Sequence, residues 1–257
     1  MAARSLIFNI LFYANLFVFM IVGLPLTVSK RTVWIVAFAW CRSSAWLLKV
    51  VCGTKIEFRG LENIPKGGFV VASKHQSFLE TFGMAPLFRR PTFILKHELV
   101  WLPLFGWYMI QTWMVPVRRG ARSKALRQMN ADAALRLADN RQIIIFPEGT
   151  RRAPGAPPQY KIGAAFLYAN SGVPVLPVAM NTGLFWPRRR FMRYPGTAVI
   201  EFLPPIQPGL EHADFMTRLQ TDIETACDRL LQEAAQDNPA LPLPQTALTR
   251  LAELAPA

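Results

Sequence analysis

The chain has 257 residues, of which 52% are hydrophobic, and its 29 lysines and arginines exceed its 16 aspartates and glutamates, leaving a net charge of +13. Three cysteines without paired spacing argue against a disulfide framework and against a zinc site. A chain that is both apolar and basic suits a membrane surface, where basic side chains meet anionic headgroups, although nucleic acid would also explain the charge.

Residues 1–52 are predicted to anchor the chain in a membrane. Residues 5–28 carry no charge, and their length is what a bilayer core of about 30 Å requires of a helix. Residues 32–52 are also apolar but contain Arg42, which would cost about 2.5–3.5 kcal/mol in hydrocarbon. The first segment is therefore expected to be a retained membrane helix and the second an interfacial or re-entrant helix. Two buried helices of a soluble core are the alternative.

Residues 53–236 are predicted to form an α/β domain, with a mixed sheet flanked by helices, because short apolar runs alternate with segments of helical period. Residues 237–257, rich in Ala, Pro and Leu, are expected to be a loose tail. The predicted strands are 55–60, 69–73, 92–95, 112–117, 142–146, 175–180 and 198–202, and the predicted helices are 77–88, 123–140, 162–172 and 214–236.

His75 is predicted to lie at a strand-to-helix turn within "SKHQSFLETF" (73–82), at the carboxyl edge of the sheet where α/β folds bind ligands. Ser77 and Glu80 have the S-x-x-E spacing of a helix capping box. Glu80 reaches His75 only if the histidine folds back over the first helical turn. Glu80 is therefore either a helix cap or the partner of His75.

A second polar turn follows the apolar run in "IIIFPEGTR" (143–151). Pro147 cannot continue a sheet ladder, and Gly149 can take a positive φ that turns backbone N–H groups toward a ligand. Arg151 offers a planar fork of donors for phosphate, with an ordinary polar loop as the alternative.

These motifs resemble those of the 1-acyl-sn-glycerol-3-phosphate acyltransferases, within the glycerolipid acyltransferase superfamily. The family's H-x-x-x-x-D motif corresponds to "HQSFLE" (75–80), with Glu80 in the acidic position, and its F-P-E-G-T-R motif is matched without change at 146–151. Its segment ending in an arginine is similar to residues 106–125, with Arg119 in the arginine position although Arg118 stands where many members are acidic. Its apolar proline-containing stretch is similar to residues 173–180.

The resemblance implies transfer of an acyl group from the thioester of coenzyme A or acyl carrier protein to the sn-2 hydroxyl of lysophosphatidic acid. His75 would act as general base and Glu80 would orient it. We expect no cofactor and no metal, because a thioester is already electrophilic. The resemblance further assigns the acceptor's phosphate to a group of residues around the two motifs: Arg151, Thr150, Gly149, Glu148, Lys96 and Arg119.

Other functions remain open on sequence grounds. The acceptor could be another lysolipid, such as a lyso-ornithine lipid, or glycerol-3-phosphate, and a noncatalytic basic membrane-binding protein would explain the N-terminus alone. A nucleic-acid partner is not expected, because the basic residues form no binding motif. The expected location is the inner membrane with the catalytic domain on its cytoplasmic face, in contact with membrane lipids.

Overall fold

The structure, a computed structural model, describes residues 1–118 and 122–255. Within these residues a seven-stranded mixed sheet has the strand order β1-β7-β6-β2-β5-β3-β4, and every neighbouring pair is parallel except β6 and β7. The mixed α/β sheet predicted from the sequence is confirmed. The strands are β1 Thr54–Arg59, β2 Phe69–Ser73, β3 Pro91–Lys96, β4 Val115–Val117, β5 Gln142–Ile145, β6 Val175–Met180 and β7 Gly196–Phe202.

Helices cover both faces of this sheet. The described helices are α1 Ala2–Val22, α2 Thr32–Leu47, α3 Leu79–Gly83, α4 Phe105–Gln111, α5 Arg122–Ala138, α6 Gly163–Ser171, α7 Thr182–Phe185, α8 His212–Asp237 and α9 Gln245–Leu254. Helices α5, α6 and α8 match the predicted helices to within two residues at each end.

Strand β2 shows how the sheet separates two cores. Successive side chains of a strand point to opposite faces. Phe69 and Val71 therefore pack with residues of α1, α2, α3 and α7, whereas Val70 and Ala72 pack with residues of α5, α6 and α8. The alternation continues beyond the strand, so that Lys74 turns toward α8 and His75 toward a cavity that residues of α1 and α2 also line.

The two N-terminal helices form an antiparallel hairpin joined by a short 3₁₀ helix, and α2 continues as a π-helical turn to Cys52. The amide of Asn15 donates to the hydroxyl oxygens of Ser43 and Ser44 at 2.9 and 3.1 Å. Phe8 and Phe12 are buried in the same core as the sheet residues. Residues 1–52 thus share a core with the rest of the protein, while the outer face of α1 exposes large apolar side chains.

Two sequence predictions were wrong in extent. The helix expected over 77–88 is only α3, because Gly83 weakens it and Pro86 has no N–H to continue the ladder. The tail expected to be loose contains α9, whose Ala247 is buried and whose Arg250 makes two bonds of 3.0 and 2.6 Å to Asp228 of α8.

Candidate active site

His75 and Glu80 are in direct contact. Nδ1 of His75 lies 2.9 Å from Oε1 of Glu80. The imidazole stacks on Phe146 with ring centroids 3.8 Å apart, and its side chain retains 14% exposure, whereas Glu80 is fully buried. Because Nδ1 faces the carboxylate, Nε2 is the nitrogen left for a substrate.

Glu80 is both the helix cap and the partner of His75. Oε1 accepts from the backbone N–H groups of Gln76 and Ser77 at 2.9 and 2.7 Å, and the Ser77 hydroxyl accepts from the N–H of Leu79 at 3.2 Å. The bond from Ser77 to Glu80 is that of a capping box, but the Ser77 hydroxyl accepts from the N–H two residues along, that of Leu79, where a regular box uses the N–H three residues along. The two alternatives read from the sequence are therefore not exclusive, because one carboxylate oxygen serves the helix and the imidazole together.

The second oxygen of Glu80 is held by a residue that the sequence gave no reason to select. Oε2 accepts from the hydroxyl of Thr182, on α7, at 2.8 Å. The carboxylate thus has four donors, and these compensate for its complete burial. Helix α7 lies 102 residues further along the chain, so only the fold brings Thr182 to this site.

The F-P-E-G-T-R turn lies against the histidine. The N–H of Arg152 donates to the backbone oxygen of His75 at 2.8 Å. Gly149 has φ +65°, as the sequence predicted, and its N–H donates to the oxygen of Phe146 at 2.8 Å. The Arg151 guanidinium lies 5.4 Å from the centroid of the Phe78 ring. Burial lowers the pKa of Arg151, which nevertheless stays charged at neutral pH.

A cavity of about 1010 Å³ begins at this turn. His75, Thr150 and Arg151 line it, and it extends between apolar side chains of α1, α2 and α4. Its volume is at the upper end of the range of about 300–1,000 Å³ that is usual for ligand pockets. A site of this shape combines a polar mouth with an apolar interior.

The remaining predicted phosphate ligands differ in position. Gly149 and Lys96 also line the cavity, but the ammonium of Lys96 is about half exposed and pairs with Glu98 at 3.3 Å. Arg119 lies outside the described residues. Lys161, which the sequence did not single out, stands over Gly149 and lines the same cavity.

Glu148 does not take the position expected of a phosphate-site residue. Glu148 is 2% exposed and points to the other face of the sheet. There Nζ of Lys74 donates to Oε1 of Glu148 at 3.2 Å and to Oε1 of Glu224 at 2.7 Å. Tyr160 donates to the same oxygen of Glu224 at 2.8 Å. Burial alone would lower the pKa of Lys74, but the two glutamates outweigh it and the pKa is raised. This buried network ties the residue before His75 to the turn that carries Arg151.

Comparisons with known proteins agree with this arrangement. A sequence model of the family described as "Acyltransferase" matches residues 55–181. The 1-acyl-sn-glycerol-3-phosphate acyltransferase of Pseudomonas aeruginosa is 36% identical over 206 residues, covering 79% of this chain and 80% of the relative. The mouse 1-acyl-sn-glycerol-3-phosphate acyltransferase alpha is 30% identical over 193 residues, covering 74% and 68%.

A crystal structure supports the fold independently. The 1-acyl-sn-glycerophosphate acyltransferase of Thermotoga maritima superposes with a TM-score of 0.75 at 24% identity, covering 90% of this chain and 98% of that one. The fold, the histidine–carboxylate pair and these matches define an acyltransferase. The chain belongs to the 1-acyl-sn-glycerol-3-phosphate acyltransferase family, which confirms the resemblance seen in its motifs.

Proposed function

We propose that the protein transfers a fatty acyl group from an acyl thioester to the sn-2 hydroxyl of 1-acyl-sn-glycerol 3-phosphate, producing phosphatidic acid for phospholipid biosynthesis. The observation that carries the proposal is the His75–Glu80 pair at the mouth of a large apolar cavity, with Arg151 in the same lining. The names of the related proteins give the same acceptor. An acyl chain suits the apolar interior, and a phosphate suits the guanidinium at the mouth.

The reaction follows from the charges at this site. Nε2 of His75 takes the proton of the acceptor hydroxyl as its oxygen attacks the thioester carbonyl carbon, and Glu80 stabilises the imidazolium that forms. When the tetrahedral intermediate collapses, the carbon–sulfur bond breaks and the imidazolium returns its proton to the departing thiolate. The products are an ester and a free thiol, and His75 is again neutral.

The proposed location is the cytoplasmic face of the inner membrane. Helix α1 and the segment Thr32–Cys52 are long and apolar enough to cross a membrane, which by length and composition alone is weak evidence. The outer face of α1 supports it further, since Ile10, Phe17 and Val22 are 61%, 60% and 71% exposed. Such exposed apolar surface favours contact with lipid.

Thioesters of coenzyme A or of acyl carrier protein are both proposed donors, because the basic surface suits either anionic carrier.

The test is a comparison of matched acceptors with detergent-solubilised protein. We expect rapid acylation of 1-acyl-sn-glycerol 3-phosphate and slow acylation of 1-acyl-sn-glycerol, which lacks only the phosphate. A lyso-ornithine lipid and glycerol-3-phosphate complete the set. Preference for either of these two, or equal rates with and without phosphate, would contradict the proposed acceptor.

A further inference from the structure

Helix α7 and the residue that follows it are hydrogen-bonded to the catalytic motif. Besides the bond from Thr182 to Glu80, the N–H of Gly183 donates to the side-chain oxygen of Gln76 at 3.1 Å. The hydroxyl of Ser77 donates to the backbone oxygen of Trp186 at 2.7 Å. Two hydrogen bonds thus fix α7, and a third fixes the start of residues 186–193, the arginine loop ("WPRRRFMR"), to the residues around His75.

Arg193 holds the rest of the arginine loop in one conformation. Its side chain is 8% exposed, and one terminal nitrogen, Nη1, donates to the backbone oxygens of residues 190, 191 and 192 at 2.7, 3.1 and 2.9 Å. The other nitrogen, Nη2, donates to Asn9 of α1 at 3.0 Å, and the guanidinium lies 4.4 Å from the Trp186 ring centroid. Arg189 has φ +55°, a strained backbone conformation that persists only where its surroundings impose it.

This loop presents a second guanidinium beside Arg151. Nη1 of Arg188 donates to the backbone oxygen of Arg151 at 2.7 Å, and both side chains line the cavity that contains His75. Among residues 1–118 and 122–255, no carboxylate oxygen lies within 4.0 Å of either guanidinium. The charge of Glu80 acts on Arg151 from beyond ion-pair distance, while Arg188 repels it, and an anion bound between the two guanidinium groups would relieve that repulsion.

We propose that Arg188 and Arg151 together bind one phosphate dianion, that of the acceptor. The inference rests on the proposed function and adds a residue outside the four motifs to its phosphate site. A phosphate monoester carries a charge of about −1.5 to −2 at pH 7, which two guanidinium groups balance. The acceptor's phosphate and its reacting hydroxyl are borne by adjacent carbons, so the phosphate must bind beside His75, where Arg151 and Arg188 lie.

The experiment measures acceptor and donor dependence separately in Arg188→Gln and Arg188→Lys, with Arg190→Gln as the control that removes the same charge from the same loop. For Arg188→Gln we expect the KM for 1-acyl-sn-glycerol 3-phosphate to rise about 10- to 100-fold, the effect of a lost hydrogen bond to a charged group. The donor KM and the rate with 1-acyl-sn-glycerol should stay unchanged. The acceptor KM of Arg188→Lys should lie between those of the unmodified protein and Arg188→Gln. The acceptor KM of Arg190→Gln should match that of the unmodified protein.

An unchanged acceptor KM in Arg188→Gln would overturn the inference. An equal rise of the acceptor KM in Arg190→Gln would also overturn it, because the effect would then come from the overall positive potential of the loop. A raised donor KM alone would assign Arg188 to the phosphates of the donor and also overturn it. If the unmodified protein fails to acylate 1-acyl-sn-glycerol 3-phosphate, the proposed function fails first. If Arg188→Gln melts at a lower temperature, the acceptor KM of Arg188→Lys is the test, because this variant keeps the charge but not the fork of donors. A raised acceptor KM in Arg188→Lys would then support the inference, and an unchanged one would overturn it.

Discussion

Replacement of Glu80 by glutamine separates the two roles of this carboxylate. Oε1 of Glu80 accepts from His75, Gln76 and Ser77 at 2.9, 2.9 and 2.7 Å. A glutamine whose amide oxygen takes this position keeps all three bonds, and the Thr182 hydroxyl rotates to accept from the amide NH₂ instead of donating. The substitution thus preserves the backbone bonds at the start of α3 and the ring orientation, and it removes only the negative charge.

The expected loss is electrostatic. The charge of Glu80 matters most when His75 becomes an imidazolium, and Glu80 is fully buried, so water does not screen the pair. Loss of one preorganised electrostatic partner of a transition state costs about 10²–10³-fold in rate. Because a glutamine oxygen still accepts from Nδ1, we expect the lower value, about 10²-fold, or roughly 2.7 kcal/mol.

The assay is the turnover number of Glu80→Gln at saturating acceptor and donor, with the melting temperature measured on the same preparation. Thr182→Val is the matched control, because it removes the donor to Oε2 but keeps the charge. The turnover number of Thr182→Val should fall by about tenfold or less. Wild-type turnover in Glu80→Gln would exclude an electrostatic role, since Glu80 would then act only as a helix cap.

The remaining predictions probe neighbouring parts of the structure. Arg151→Lys should raise the acceptor KM more than it lowers kcat, because an ammonium cannot reproduce the guanidinium fork, and an unchanged dependence on acceptor concentration would exclude the assignment. Lys74→Met should destabilise the fold by about 3–5 kcal/mol, since it leaves buried Glu148 with only Arg152, at 4.0 Å, as a cationic partner, and calorimetry should show a melting temperature lower by about 6–20 °C. Deletion of residues 1–52 should produce aggregated protein on sedimentation, because it removes Phe8 and Phe12 from the common core, and a soluble active fragment would contradict this. Burial raises the pKa of Cys227 to about 12, so iodoacetamide at pH 8 should modify it only in the unfolded chain, as peptide mass spectrometry can show.

Local patterns were sufficient to predict most of the fold. The strands were predictable from apolar or alternating runs, as in the run "QIII" of β5, although the strand expected over 112–117 begins only at Val115. The amphipathic helix α8 was equally clear from its period. Where the prediction failed, local preferences were weak or misleading. Helix α9 lies in a segment rich in Pro and Ala, and its order depends on contacts with α8 that the sequence alone does not reveal.

The candidate site was predictable only where its residues are neighbours in sequence. His75 and Glu80 lie five residues apart, and their motif could be recognised in the sequence. Thr182 meets Glu80 across 102 residues, and Lys74 meets Glu224 across 150, so these contacts arise from the order of the strands. A charged residue directly after the buried strand β2 was the one available signal for Lys74, since such a residue requires a partner.

The most direct test of the account is acyl transfer by purified protein given an acyl thioester and 1-acyl-sn-glycerol 3-phosphate, with the phosphatidic acid and the released thiol both quantified. The unmodified protein should release equal amounts of the two products. His75→Ala should react about 10²- to 10⁴-fold more slowly with an unchanged melting temperature, because the general base is lost. Thiol release that does not depend on the acceptor, or a folded His75→Ala protein with turnover close to that of the unmodified enzyme, would contradict the proposed mechanism.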